Sequence, residues 1–170
     1  KLGQQVEELD IGWFEEPVAP EDLDGYCAIK AAINIPLAGG ECEYPRFGFR
    51  EILRRRAIDY LQPDTAAAGG LSECKKIADM ANAFGVRYVP HVWGSGIGLA
   101  AALQLLAVLP HNPPGRRPWE PLLEFDRSEH PFRQAIMKKP IEHANGVVTI
   151  PDGPGLGIEI DRDALESFKN

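Results

Sequence analysis

Short apolar segments that end in a polar residue alternate with helix-length stretches as far as residue 125, and this alternation limits the fold more than any other feature. Parallel strands need a long return connection, usually a helix, so the alternation predicts βα units around a parallel sheet. Strands are predicted at Gly12–Glu15, Ile35–Ala38, Ile58–Gln62, Val86–Pro90 and Pro121–Phe125, and a first helix ends near Leu9. Helices are predicted at Glu21–Ala32, Pro45–Arg55, Gly70–Phe84 and Ile97–Leu109. Acidic residues suit the positive start of the first of these four, proline the first turn of the second, and Gly85 the stop of the third. From Asp126 the chain is rich in Pro and Gly. The region Asp126–Gly157 is expected to be an extended excursion in which only Gly146–Ile150 reads as a strand, and a short helix at Asp161–Phe168 closes the chain.

The acids and one histidine fall at corresponding places in these units. Glu15 ends one predicted strand, and Glu41, Asp64, His91 and Glu124 end or follow the next four, each interval being about one βα repeat. In a parallel barrel the C-terminal ends of the strands converge on one mouth, where such enzymes keep their chemistry. Glu15 and Glu41 are candidate oxygen ligands for a hard cation such as Mg²⁺. A cation of this kind can neutralise the ene-diolate formed when a carboxylic acid loses its α-proton. His91 is a candidate acid or base near neutrality, and Asp64 can fix its tautomer. Glu16 and Glu43 compete as ligands. Glu16 is expected on the opposite face of its strand in a structural pairing, and Glu43 lies far enough into its loop to contact substrate instead. Trp93 either walls the pocket or fills the barrel top. His111, His130 and His143 read as loop histidines without a role.

Composition excludes several other classes. A net charge of −7 and a pI near 5.1 argue against a nucleic-acid partner. The only basic run, Arg54-Arg55-Arg56, reads as a solvated helix face. Cys27, Cys42 and Cys74 form no CxxC pair, which fits a reducing cytoplasm better than a zinc knuckle or a disulfide framework. The apolar run Ile97 to Leu109 is too short to span a membrane and reads as a core helix. The Gly94-Ser95-Gly96-Ile97-Gly98 segment is expected to form a tight βα turn. A phosphate loop is the weaker alternative, because no dinucleotide context surrounds it.

At the same residues the chain resembles the mandelate racemase and muconate lactonizing enzyme branch of the enolase superfamily. The matching stretches are Trp13-Phe14-Glu15-Glu16-Pro17, Ala38-Gly39-Gly40-Glu41, Leu61-Gln62-Pro63-Asp64 with Gly69-Gly70, Pro90-His91-Val92-Trp93-Gly94 and Leu122-Leu123-Glu124. The resemblance implies an α/β fold, the C-terminal part of a modified TIM-type (β/α)7β barrel. Residues 1–125 would form barrel units, and 126–170 an excursion and closing segment toward a capping domain. It implies that Glu15 and Glu41 are the second and third metal ligands, that Asp64 and His91 form a dyad, and that Glu124 hydrogen-bonds the substrate carboxylate. The stretches after Glu16 and around Trp93 look closest to members acting on acid sugars, so dehydration of an acid sugar is the expected reaction. Racemisation, epimerisation and lactone cycloisomerisation use the same ene-diolate. The resemblance also requires an earlier Asp ligand, in many members a Lys-x-Lys motif, and a capping domain; none is in this sequence. The chain alone is therefore expected to be inactive and the full-length form to be a homo-oligomer.

Overall fold

A computed structural model describes residues 1–110 and 118–169. A short helix α1 (Leu2–Val6) runs into a 3-10 turn and then β1 (Phe14–Glu15). There follow α2 (Leu23–Ala32), β2 (Leu37–Gly39), α3 (Arg46–Arg55), β3 (Tyr60–Leu61), α4 (Gly70–Phe84), β4 (Arg87–Tyr88) and α5 (Gly96–Val108). The four strands pair in parallel in the order β1-β2-β3-β4, so the alternation read in the sequence becomes consecutive βα units. The strands are shorter than predicted, but each lies within its predicted segment or one residue beyond it.

Local chemistry explains the helix limits. The Asp22 side chain accepts from the Gly25 amide at 2.8 Å and starts α2 later than Glu21, because it caps an amide that would otherwise lack a partner. Helix α4 ends at Gly85 with φ 71, the left-handed stop expected there. Helices α3 and α4 each lay one apolar stripe against the sheet: Phe49, Ile52 and Leu53 from α3, and Cys74, Ile77, Ala78 and Ala81 from α4. Arg54, Arg55 and Arg56 remain exposed, with Arg55 paired to Asp24 and Arg54 to Glu51. Helix α5 is the core helix expected from the apolar run, burying Leu99, Leu103, Leu105 and Leu106 among others. Among the described residues no helix is long and apolar enough to cross a membrane. All three cysteines are free.

The structure departs from expectation at the end of the sheet and beyond it. Among the described residues, Pro121–Phe125 enters no β-ladder, so the fifth predicted strand is not formed here. It is instead held at its two ends: the Arg87 guanidinium donates to the carbonyl of Glu120 just before it, and the Glu124 side chain accepts from the Val92 backbone amide at 2.8 Å. Beyond Asp126 the chain is more ordered than its Pro and Gly content suggests. It forms α6 (Pro131–Ala135), a hairpin of β5 (His143–Ala144) and β6 (Val147–Val148), and α7 (Arg162–Ser167). Asn145 and Gly146, with φ 54 and 78, make the left-handed two-residue turn favoured in such hairpins. His143 thus opens a strand, and its ring lies edge-on to Phe125 at 5.3 Å. His111 lies outside the described residues.

This C-terminal segment is fastened to the loop after β4. Arg133, only 7% exposed, donates to the carbonyls of Gly94 at 3.2 Å and Asp126 at 3.0 Å, and pairs with the Asp126 carboxylate. Gly96 admits the contact from the other side, since a Cβ there would come within 2.2 Å of the Met137 Cε. Gly94 and Ser95 therefore form a packed βα turn, and Gly96 to Gly98 open α5.

Phe49 is fully buried and lies directly under the backbone that carries Glu41. Replacing it with alanine should cost about 3–5 kcal/mol in a urea unfolding curve. Phe47→Ala, at a residue 62% exposed, should stay within about 0.5 kcal/mol of the parent. Equal losses at both positions would contradict the packing described here.

Candidate active site

The register of the sheet assembles the site. Tyr60 pairs with Arg87 and Leu61 with Tyr88, and the same register continues past both strands to a parallel bridge between Asp64 and His91. Side chains at the two bridged positions lean together, and His91 Nδ1 lies 2.8 Å from Asp64 Oδ2. The amides of Ala66 and Ala67 donate to Asp64 Oδ1 at 2.7 and 2.9 Å. Burial alone would raise the Asp64 pKa, but the hydrogen bonds from His91 and these amides outweigh it and hold the carboxyl below its ordinary value. An ionised carboxylate only accepts, so Nδ1 carries the hydrogen and Nε2 is the free basic atom.

Nε2 faces two more acids. Glu41 Oε2 lies 3.5 Å from it and Glu124 Oε2 3.9 Å. Glu41 reaches this point because the chain turns sharply at Gly40, whose φ of +114 and whose closeness to the Phe49 ring exclude other residues. The Asp64 hydrogen bond is the chief cause that raises the His91 pKa above its usual value; burial opposes it, and Glu124 and Glu41 add to it. Burial is likewise the chief cause raising the Glu124 pKa, with the Val92 amide opposing and Glu15 and Glu41 reinforcing.

Glu15 stands at the end of β1 and is held differently. Trp13 Nε1 and Gln62 Nε2 both donate to its Oε2, at 2.9 and 2.8 Å. Trp13 and Gln62 belong to stretches singled out in the sequence, but nothing there pointed to this contact, since it joins β1 to the segment after β3. Glu16 does not point away as expected. Its φ of +38 kinks the chain just after β1, and its carboxylate joins Glu41 and Cys42 in a group whose ligand atoms lie within 4.8 Å of one another. Burial, then Glu41, raises the Glu16 pKa. A left-handed acidic residue has no sequence signature, which is why periodicity placed it on the wrong face.

The two residues expected to contact substrate behave differently. Trp93 is 65% exposed, its ring edge-on to His130 at 6.1 Å, at the rim of a cavity of about 370 Å³ lined by Asp64, Thr65, His91, Ile97 and Leu156 among others. Glu43 turns away from His91 to the first turn of α3, where its carboxylate lies against Gly48. The turn closed by the Glu43 amide on the Gly40 carbonyl at 3.2 Å sends it there, and the positive helix start favours a carboxylate.

His91, Asp64, Glu41 and Glu124 thus share one mouth, with Glu15 at the neighbouring strand end. The carboxylates of Glu16 and Glu41 come close enough to share a hard divalent cation, with Glu15 outside that group at the neighbouring strand end. Burial first, and then the neighbouring acids, raises Glu16 and Glu124, and such a cation would relieve the second of these. Cys42 is the soft donor in that group among the described residues.

A sequence model of the enolase C-terminal domain-like family matches residues 1–164. The chain is 54% identical to the D-galactarolactone cycloisomerase of Agrobacterium fabrum over 99% of its own length and 44% of that protein. It is 36% identical to the arabinonate dehydratase of Saccharolobus solfataricus over 99% of its length and 43% of that protein. Among solved structures, the 3,6-anhydro-D-galactonate cycloisomerase of Zobellia galactanivorans superposes with a TM-score of 0.88 at 42% identity, over 98% of this chain and 45% of that one. The chain spans less than half the length of these relatives. A parallel βα sheet with its acids and histidine at one end, matched along nearly its whole length, belongs to the enolase C-terminal domain-like family of the enolase superfamily.

Proposed function

We propose that this chain supplies the acid/base dyad and two metal-holding carboxylates of an enzyme that removes the α-proton of an acid-sugar carboxylate with the help of Mg²⁺. The observation that carries this reading is the placement of His91, with Nδ1 engaged by Asp64 and Nε2 facing Glu41 and Glu124. Glu15 and Glu41 would hold the cation. When bound, it supplies positive charge for the developing ene-diolate. His91 Nε2 takes the proton, and the ionised Asp64 stabilises the resulting imidazolium. Glu124, whose raised pKa favours the protonated form more than an ordinary glutamate does, donates to the substrate carboxylate. Residues 126–170 form the closing segment, and Arg133 holds the loop that follows His91.

The sequence alone suggested loss of water from the acid sugar. The relatives at 54% and 42% identity are both named as cycloisomerases, and the dehydratase stands at 36%. Cycloisomerisation of a cyclic acid-sugar derivative, a lactone or an anhydro acid, is therefore the favoured outcome. A second reading, in which the chain by itself holds no Mg²⁺, is favoured by the grouping of Glu16 and Glu41 with Cys42 and without Glu15.

The full-length protein with Mg²⁺ in D₂O is expected to convert an acid-sugar lactone or anhydro acid into an isomer that carries solvent deuterium. A product lighter by one water would assign it to dehydration, and absence of exchange across lactones and open acid sugars would contradict α-proton abstraction. His91→Asn should lower kcat by about 10²–10⁴-fold.

The pH behaviour of the metal-free chain follows from the same hydrogen bond. The folded His91 pKa lies above the unfolded value of about 6.5. The stabilisation from its protonated form is therefore complete below pH about 6.5 and is lost as pH rises through the folded pKa. NMR titration of the His91 ring should show the raised value and Asp64→Asn should lower it; an unchanged midpoint would remove Asp64 from the dyad.

A further inference from the structure

Glu15 is held by two donors on a single oxygen. The Trp13 indole and the Gln62 amide both donate to Oε2, which leaves Oε1 as the oxygen these groups do not occupy. Neither donor is free to swing. The Trp13 ring lies against Tyr60 with centroids 5.3 Å apart, and the Arg87 guanidinium lies 5.7 Å from the Tyr60 ring on the other strand. Gln62 is 2% exposed, and its backbone N–H donates to the Gly39 carbonyl at 2.9 Å, so its main chain is fixed and its side chain closely packed. The orientation of its side chain follows from chemistry. A carboxylate accepts and cannot donate, so the NH₂ group must face Glu15, because a flipped amide would set oxygen against oxygen.

This arrangement has a cost that packing does not explain. Gln62 Oε1 is buried and accepts from no donor among the described residues. A buried carbonyl without a partner destabilises the fold, and an apolar side chain of the same length would not. A glutamine at such a position points to a task at Glu15.

We propose that Trp13 and Gln62 are positioning residues that make Glu15 a one-oxygen ligand and so bias the site toward Mg²⁺ and against Ca²⁺. The proposal rests on the reading of Glu15 as a metal ligand. Mg²⁺ requires a tight octahedral shell and takes carboxylates through single oxygens, whereas Ca²⁺ accepts both oxygens of one carboxylate in a larger and looser shell. Two donors on Oε2 hold the carboxylate plane and compete with a cation for that oxygen. Their removal frees Glu15 to rotate and to offer both oxygens.

The test is calorimetric titration of the full-length protein with Mg²⁺ alone and with Ca²⁺ alone, for the parent, Gln62→Met, Trp13→Phe and Glu15→Ala. Thermal midpoints are recorded without metal. Gln62→Met and Trp13→Phe should each weaken Mg²⁺ binding by about 10–100-fold. Both should weaken Ca²⁺ binding less, so the Mg²⁺-to-Ca²⁺ preference falls. Gln62→Met should leave the metal-free midpoint unchanged or higher, because it removes the unpaired carbonyl. An unchanged preference in both variants, while Glu15→Ala abolishes binding, overturns the positioning role alone. Equal weakening of both ions with a lowered metal-free midpoint assigns the two residues to the fold and overturns it as well. Undiminished Mg²⁺ affinity in Glu15→Ala overturns the ligand reading beneath it. Should Gln62→Met fail to fold, Trp13→Phe carries the comparison, since its ring still packs on Tyr60.

Discussion

The parallel pairing of β3 with β4 continues in the same register to Asp64 and His91, and the rest of the mouth depends on that continuation. Cross-strand partners in a parallel ladder are held at a fixed spacing by backbone hydrogen bonds, so the two side chains need little further ordering to meet. Once Nδ1 is engaged, the tautomer is settled and Nε2 is left facing Glu41 and Glu124. Glu124 is then joined to the chain just after His91 through the Val92 amide, and Arg133 holds Gly94 two residues further on. The histidine is thus fixed from both sides, by the sheet on one and by the C-terminal segment on the other.

The same construction concentrates negative charge. Glu41, Asp64 and Glu124 lie around one histidine with Glu15 and Glu16 at the neighbouring strand end, and burial, reinforced by this crowding, raises Glu16 and Glu124. Asp64 escapes it because His91 and two amides stabilise its ionised form. Acids that share a half-buried mouth with no Lys or Arg side chain paired to them among the described residues are poorly satisfied by protein alone. A bound divalent cation and a protonated His91 are the two positive charges that suit such a place.

Much of this was legible in the sequence, for identifiable reasons. Glu15, Glu41, Asp64 and His91 could be placed because short apolar strands and helical stripes such as Cys74-Ile77-Ala78-Ala81 are written in local periodicity, and a parallel sheet turns equal periods into one rim. What escaped was set by tertiary contacts or by backbone angles without a residue signature. The positive φ of Glu16 swings its carboxylate beside Glu41, and the turn at Gly40 sends Glu43 to α3. Pro121–Phe125 has strand composition, yet side-chain hydrogen bonds hold it where no ladder forms. In the C-terminal segment, the Asn145-Gly146 turn was a readable hairpin signal, but its partner His143–Ala144 is too short to register as a strand.

The central claim is that strand ends bring Glu15 and Glu41 to one cation facing His91. An anomalous difference map from crystals of the full-length protein grown with Mn²⁺ in place of Mg²⁺ tests it most directly. The expected result is a single strong peak bounded by the carboxylates of Glu15 and Glu41, on the Nε2 side of His91. A peak held by Glu16 and Cys42 with Glu15 remote, or none at this mouth, would contradict it.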